Sequence, residues 1–147
     1  MKVPSPTLQS IATRHVYRYE DEFLYTFKRL STQRSFKTIK KTAEKIWKKY
    51  HRGTRTLPTI EFGTGDRSLG RPLSFTLDRR YIELAPKQRD LLTLIHELVH
   101  ALGADYHDMQ FVNLYYKILK EYLPPYIRDA VYIELVVRHR DLLRPYK

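Results

Sequence analysis

Residues 86 to 107 constrain the chain more than any other stretch: Pro86-Lys-Gln-Arg-Asp-Leu-Leu-Thr-Leu-Ile-His96-Glu97-Leu-Val-His100-Ala-Leu-Gly103-Ala-Asp-Tyr-His107. Leu91, Leu92, Leu94, Ile95, Leu98, Val99 and Leu102 make it apolar enough for a buried helix, and Gly103 supplies a C-terminal stop. Two histidines and a glutamate interrupt this apolar run in the pattern H-E-x-x-H. His96 and His100 are one turn apart and project from the same face, so both imidazoles can reach one metal ion. Buried polar groups need partners, and here none but each other is evident; a shared ion resolves that cost. A catalytic zinc takes three protein ligands and keeps a fourth position open. His107, just beyond the glycine turn, is the natural third. Glu97 sits where it can hydrogen-bond a water at the metal without ligating the metal itself. Glu121 is the runner-up third ligand, and Asp105 and Asp108 are weaker candidates that flank His107 and can orient it. The pattern predicts a zinc-dependent hydrolase, with peptide bonds the first substrate class.

These residues also carry a family resemblance. His96-Glu-Leu-Val-His100-Ala-Leu followed by His107-Asp108-Met-Gln-Phe111 resembles the SprT-like branch of zincin metallopeptidases, in which an H-E-L-x-H helix is followed by a third histidine in H-[GD]-x-x-F. With Arg14-His-Val-Tyr17-Arg-Tyr-Glu20 and Ile82-Glu-Leu-Ala-Pro86 the pattern is similar to small metallohydrolases of actinobacteria and their phages. The likeness is sharp over residues 80 to 120 and loose elsewhere. It implies His96, His100 and His107 as zinc ligands and Glu97 as catalytic base. It also implies an α+β, zincin-like single domain, with a small mixed sheet packed on the H-E-x-x-H helix and flanking N- and C-terminal helices. In the related metzincin pattern the third histidine falls three residues after the glycine, where this chain has Tyr106; His107 comes one residue later.

The bulk properties bound the rest. A chain of 147 residues with 42% hydrophobic content is one folded domain's worth of sequence. It has no cysteine, so a zinc site must be built from His, Asp and Glu. No apolar run suggests a signal peptide or membrane span, which predicts a cytoplasmic protein with no membrane partner, expected as a monomer. The net charge of +11 is unevenly placed. Residues 1–56 hold 14 Lys or Arg against 4 Asp or Glu, whereas residues 57–147 hold 13 against 12. The domain therefore divides into a basic helical part (1–56) and a near-neutral part (57–147) with strands, the active-site helix and C-terminal helices.

Along the chain, residues 1–13 read as a loosely docked arm. A helix is expected from Thr13 to Leu30, where Val16, Tyr17, Glu20, Phe23, Leu24, Phe27 and Leu30 recur at helical spacing. A second runs from Phe36 to Tyr50, with Phe36, Ile39, Ala43, Ile46, Trp47 and Tyr50 as its apolar stripe. Lys37, Lys40, Lys41, Lys45, Lys48 and Lys49 cover the rest of its circumference, relieved by Glu44 alone. A surface of this kind suits the phosphates of DNA or RNA, with Arg52 and Arg55 extending it, although a lysine-rich face also serves solubility alone. Leu57–Phe62, Leu73–Leu77 and Tyr81–Leu84 read as strands, with a turn at Asp78-Arg79-Arg80. Gly63-Thr-Gly65 lacks the other residues of a phosphate loop. An amphipathic helix follows His107 and stops at Pro124-Pro125. Residues 126–143 read as a last helix, with a strand at Val131–Val137 as the alternative. Glu134 within it pairs with Arg138 or supports the metal ligands.

In the mechanism this predicts, Glu97 takes a proton from water at the zinc and returns it to the leaving amine, while Tyr106, Tyr115 or an arginine of Arg79-Arg80 stabilises the oxyanion. The substrate is a protein or peptide, extending to nucleic-acid-associated proteins. The alternatives are a small-amide metallohydrolase and a zinc-stabilised nucleic-acid-binding or interaction protein without proteolytic activity.

Overall fold

The computed structural model describes residues 5–53, 56–64, 68–72 and 80–146. Its centre is the helix α4, Leu91–Ala101, in which ten of the eleven residues are buried. Such a helix must be enclosed, and it packs against α2 (Lys28–Ser31), α3 (Phe36–Tyr50), α5 (Met109–Leu119) and the strands β2 (Leu69–Pro72) and β3 (Arg80–Leu84). Leu92, Leu94, Ile95 and Leu98 are fully excluded from solvent, each contributing about 1.5–3 kcal/mol of burial.

Asp90 starts α4, accepting the Thr93 amide at 2.7 Å, and Gln33 donates to its other oxygen at 3.4 Å. Gly103 ends it at φ 121°, a conformation that disfavours any side chain. The amides of Gly103 and Ala104 donate to His100 and Val99, closing the helix and swinging the chain back towards the start of α5.

The sheet is mixed, in the order β1-β3-β2 with β1 at Thr59–Phe62. β1 pairs parallel with β3, Ile60 opposite Ile82, and β2 pairs antiparallel, Leu69 opposite Glu83. Ile60, Ile82 and Leu84 face the core. β2 lies at Leu69-Gly-Arg-Pro72, which has no alternation to announce it. The strand expected at Leu73–Leu77 lies outside the described residues, as do Asp78 and Arg79.

Two expectations for the N-terminal region are corrected. The arm is largely helix: α1 spans Pro6–Glu22, with the Ser5 hydroxyl accepting the Leu8 amide and proline in the first turn. The expected helix to Leu30 breaks at Phe23 and continues as a 3-10 turn (Leu24–Thr26) and the short α2. The periodicity carries across because Leu24 and Leu30 stay buried and Phe23 and Phe27 stack edge-on. α3 has the expected bounds, capped by Ser35.

After α5 come a 3-10 turn at Lys120–Tyr122 and another at Pro125–Ile127. A helical stretch follows, composed of α6 (Arg128–Val131), a π turn (Tyr132–Val137) and α7 (Arg138–Leu143). Helix wins over strand there because the buried residues Val131, Leu135, His139 and Leu143 recur every fourth position. One buried cluster extends from Val16 to Leu135. The fold is thus mixed α+β and mostly helical, and among the described residues no helix is long and apolar enough to cross a membrane.

Removing the cap of the central helix measures how far α4 depends on it. Asp90→Ala should lower stability by about 1–2 kcal/mol, and Asp90→Asn by less, because the amide oxygen still accepts from Thr93. Urea unfolding monitored at Trp47 reads both, and an unchanged midpoint for the alanine variant contradicts this account.

Candidate metal centre

His96 and His100 leave the same face of α4, and the turn at Gly103 returns His107 to them. The three can each offer one nitrogen, all within 4.8 Å of one another, so the cluster can hold a metal ion. The hydrogen bonds around the rings decide which nitrogens these are. His96 Nδ1 donates to Glu20 Oε2 at 2.7 Å, His100 Nδ1 to the Ala104 carbonyl at 2.7 Å, and His107 Nδ1 meets the Thr13 hydroxyl at 3.2 Å. Every Nδ1 is engaged away from the centre, so every Nε2 is left to face it, an arrangement that fixes tautomer and ring orientation together. The Nε2 atoms of His96 and His107 lie 3.0 Å apart. Nitrogens around one zinc stand about 3.3 Å apart, close to the spacing of this pair.

Glu20 is the support that sequence reasoning missed. It is 4% exposed on α1, and its Oε2 accepts from both His96 and the Tyr115 hydroxyl, the latter at 2.6 Å. The signal was present: Glu20 occupies the same buried stripe as Ala12 and Val16, where an acid needs a partner. Tyr115, expected as an oxyanion donor, is fully buried with its hydroxyl committed to Glu20. Arg79 and the Arg80 side chain lie outside what is described.

Three further groups hold the centre in place. The Phe111 ring lies 4.8–4.9 Å from all three imidazoles and gives them an apolar floor. Tyr17 stacks on His96 at 5.5 Å and tilts against His107 at 5.3 Å. His139, fully buried on α7, donates from Nε2 to the His107 carbonyl at 2.7 Å, and its Nδ1 is 2.7 Å from that of His15.

Burial alone would lower the His96 pKa, but the Glu20 and Glu97 carboxylates more than offset it and hold it above the ordinary histidine value. Burial and the charge on His96 push His100 down to about 4. Burial and the charges on His96, His100 and His139 push His107 down to about 2. Glu97 is raised, first by burial, and the proximity of Glu20 adds to this against the pull of His96. Its Oε2 is buried with no hydrogen-bond partner, and the side chain lines a cleft of about 640 Å³ with His96, Tyr17, Asp21, Ser68 and Lys87. An orphaned carboxylate oxygen beside three convergent nitrogens fits a site that takes an ion and a water.

The alternative ligands are accounted for elsewhere. Glu121 binds Lys49 at 2.7 Å and the Tyr50 hydroxyl, away from the cluster. Asp108 caps α5 through the Phe111 amide. Asp105 is exposed and outside the cluster. Glu134 forms an exposed pair with Arg138 at 3.4 Å and does not support the ligands. All six lysines of α3 are exposed, and only Lys49 has a carboxylate partner among the described residues. Arg52 is exposed, and Arg55 lies outside the described residues.

No protein-family model, curated protein or solved structure matches the chain. The chemistry of the centre therefore has to be read from its own atoms.

Two measurements follow from this geometry. Glu20→Gln should weaken zinc affinity about 10–100-fold, because the amide is a poorer acceptor for the His96 Nδ1 proton; competition with a chromophoric chelator reads this, and unchanged affinity removes Glu20 from the centre. Proton competition gives the second. Of the three, His96 alone is held above the ordinary histidine value, so as pH falls zinc affinity should drop about tenfold per pH unit rather than a thousandfold. A slope near three between pH 5 and 6.5, where His100 and His107 should already be neutral, contradicts the assigned shifts.

Proposed function

We propose that the chain is a zinc-dependent peptidase of the zincin type, similar to the SprT-like branch, with His96, His100 and His107 as ligands and Glu97 as general base. The observation that carries this reading is the pairing of three Nε2 atoms aimed at one point with a buried, unpartnered Glu97 Oε2 beside them. A site built only to stiffen a fold has no use for that carboxylate.

When bound, zinc on three neutral imidazoles polarises a carbonyl and acidifies water in its open position. Glu97 supplies the proton movement. Its raised carboxyl pKa suits a group that takes a proton from water and delivers it to the leaving amine. Glu20 and Tyr115 keep the His96 ring in place throughout, and the Phe111 floor keeps water from the rear of the site.

The surroundings favour an extended substrate. The cleft beside Glu97 is half-enclosed and runs between α1 and the segment leading into α4. β2 packs against α4 and is an outer strand of the sheet among the described residues, the position at which an added peptide strand reads backbone groups. Partners on this reading are a protein or peptide substrate and, through the basic N-terminal part, a nucleic acid. The proteins cut would then be nucleic-acid-associated ones.

Glu97→Gln tests the mechanism, since an amide cannot accept the proton. The variant should keep its fold and one zinc per chain while peptide hydrolysis falls at least about 100-fold. Hydrolysis of a casein or mixed-peptide substrate, read with metal content on the same samples, decides it. Full activity in a zinc-loaded Glu97→Gln protein overturns the reading.

A further inference from the structure

Positive charge gathers in a concavity beside the α4–α5 turn. A hollow of about 790 Å³ opens between the end of α3 and the outer face of α5, with Lys49, Arg52, Lys117 and Lys120 on its walls. Glu121, the acid in that lining, is already bound by Lys49 at 2.7 Å and by the Tyr50 hydroxyl. Among the described residues no carboxylate pairs with Arg52, Lys117 or Lys120. Lys117, near the end of α5, and Lys120, which opens the 3-10 turn after it, stand three residues apart on neighbouring positions.

Glu121 is shared with a neighbouring hollow. The same residue lines a second depression of about 300 Å³, where Lys28, Arg29 and Arg128 add three further cations. Two aromatic rings lie in these hollows. Tyr50 is in the first hollow with the Lys49 ammonium 5.5 Å from its ring. Tyr122 is in the second, with the Arg29 guanidinium 5.3 Å from its ring. The two hollows are thus lined together by seven cations and two tyrosines, with Glu121 as the one acid in either lining.

We propose that these two hollows form a binding groove for single-stranded nucleic acid. Proteins that hold single strands without sequence preference combine a cationic groove that tracks the phosphates with aromatic rings on which bases stack. The α3 lysine face is different in kind. Lys37, Lys40, Lys41, Lys45 and Lys48 project from the exposed surface of one helix and line neither hollow, a face that a stiff duplex can approach. A flexible strand follows a concave path, and a duplex does not bend to do so without cost. Of the earlier reading this proposal shares the nucleic-acid partner alone. It is independent of hydrolysis, because none of its residues belongs to the metal centre.

The groove nonetheless touches the centre's scaffold. Leu102 and Gly103 line the first hollow, and they form the turn that carries the chain from His100 towards His107. A bound strand therefore rests against the outer side of the loop whose inner side presents the third ligand.

Two variants matched in charge test the proposal on the full zinc-loaded chain. Arg52→Gln with Lys117→Gln and Lys120→Gln empties the groove of three cations; Lys41→Gln with Lys45→Gln and Lys48→Gln removes three from the α3 face. All six residues are exposed, and circular dichroism with zinc content confirms that both variants are folded. Anisotropy of labelled oligothymidylate and oligouridylate is read between about 50 and 300 mM salt. The groove variant should lose at least about tenfold in affinity for both strands and flatten the log–log salt dependence by about 2, at roughly 0.7 per lost contact. The α3 variant should lose less than the groove variant in both respects. Equal losses in the two variants, or a greater loss in the α3 variant, overturn the groove and keep the nucleic-acid partner. No binding by the unmodified chain overturns both and leaves the peptidase reading untouched. An oligoglutamate peptide that competes as strongly as the oligonucleotides makes this an acidic-peptide groove and overturns the proposal.

Discussion

The contact on which this structure turns is the hydrogen bond between Glu20 and His96. It joins residues 76 positions apart and is almost wholly shielded from water. A carboxylate placed there is costly unless donors satisfy it, and His96 and Tyr115 both do so through one oxygen. In return Glu20 fixes the tautomer of the imidazole at the middle of the cluster. The other two rings are held on the same plan, by a backbone carbonyl for His100 and a hydroxyl for His107. Three different partners, two on α1 and one in the turn after α4, thus give one outcome, with each Nε2 left facing inward.

That plan explains the placement of the elements. α1 brings Thr13, Tyr17 and Glu20 to the centre from one helix, two of them as hydrogen-bond partners and one as a stacked ring. α7 contributes His139 beneath the His107 carbonyl, and α5 contributes Phe111 and Tyr115. α4 supplies only the motif itself, and its apolar sides anchor it in the core. The sheet is small because its role is limited to covering one side of α4 and offering an edge.

The sequence disclosed those parts of this that depend on local pattern. The H-E-x-x-H spacing, the glycine stop and the α3 stripe are periodicities that a helix imposes on its own residues, and their elements stand where expected. His107 joined the cluster because Gly103 turns the chain, which is also a local rule. What stayed hidden depends on contacts between distant segments. Glu20 was visible as an acid in an apolar stripe, but nothing in α1 alone says which residue would meet it. Tyr115 looked available until Glu20 claimed its hydroxyl, and Glu121 looked like a ligand until Lys49 and Tyr50 did the same. β2 escaped notice because Leu69-Gly-Arg-Pro72 lacks alternation and owes its extended form to pairing with β3. The break at Phe23 was masked by aromatic residues that keep helical spacing across a 3-10 turn.

The grip of His139 on the His107 carbonyl has a consequence for the order of assembly. Thr13, His15, Glu20 and His139 lie at opposite ends of the described chain, and His96, His100 and His107 lie between them. A chain emerging from a ribosome presents His96, His100 and His107 well before residue 139 is made. An ion captured then meets three histidines of which only part has its supports, and the loop bearing His107 is free to move. The loop bearing His107 gains its anchor from His139 only when α7 is docked beside α1, so the cluster is complete only once the C-terminal helical stretch is in place.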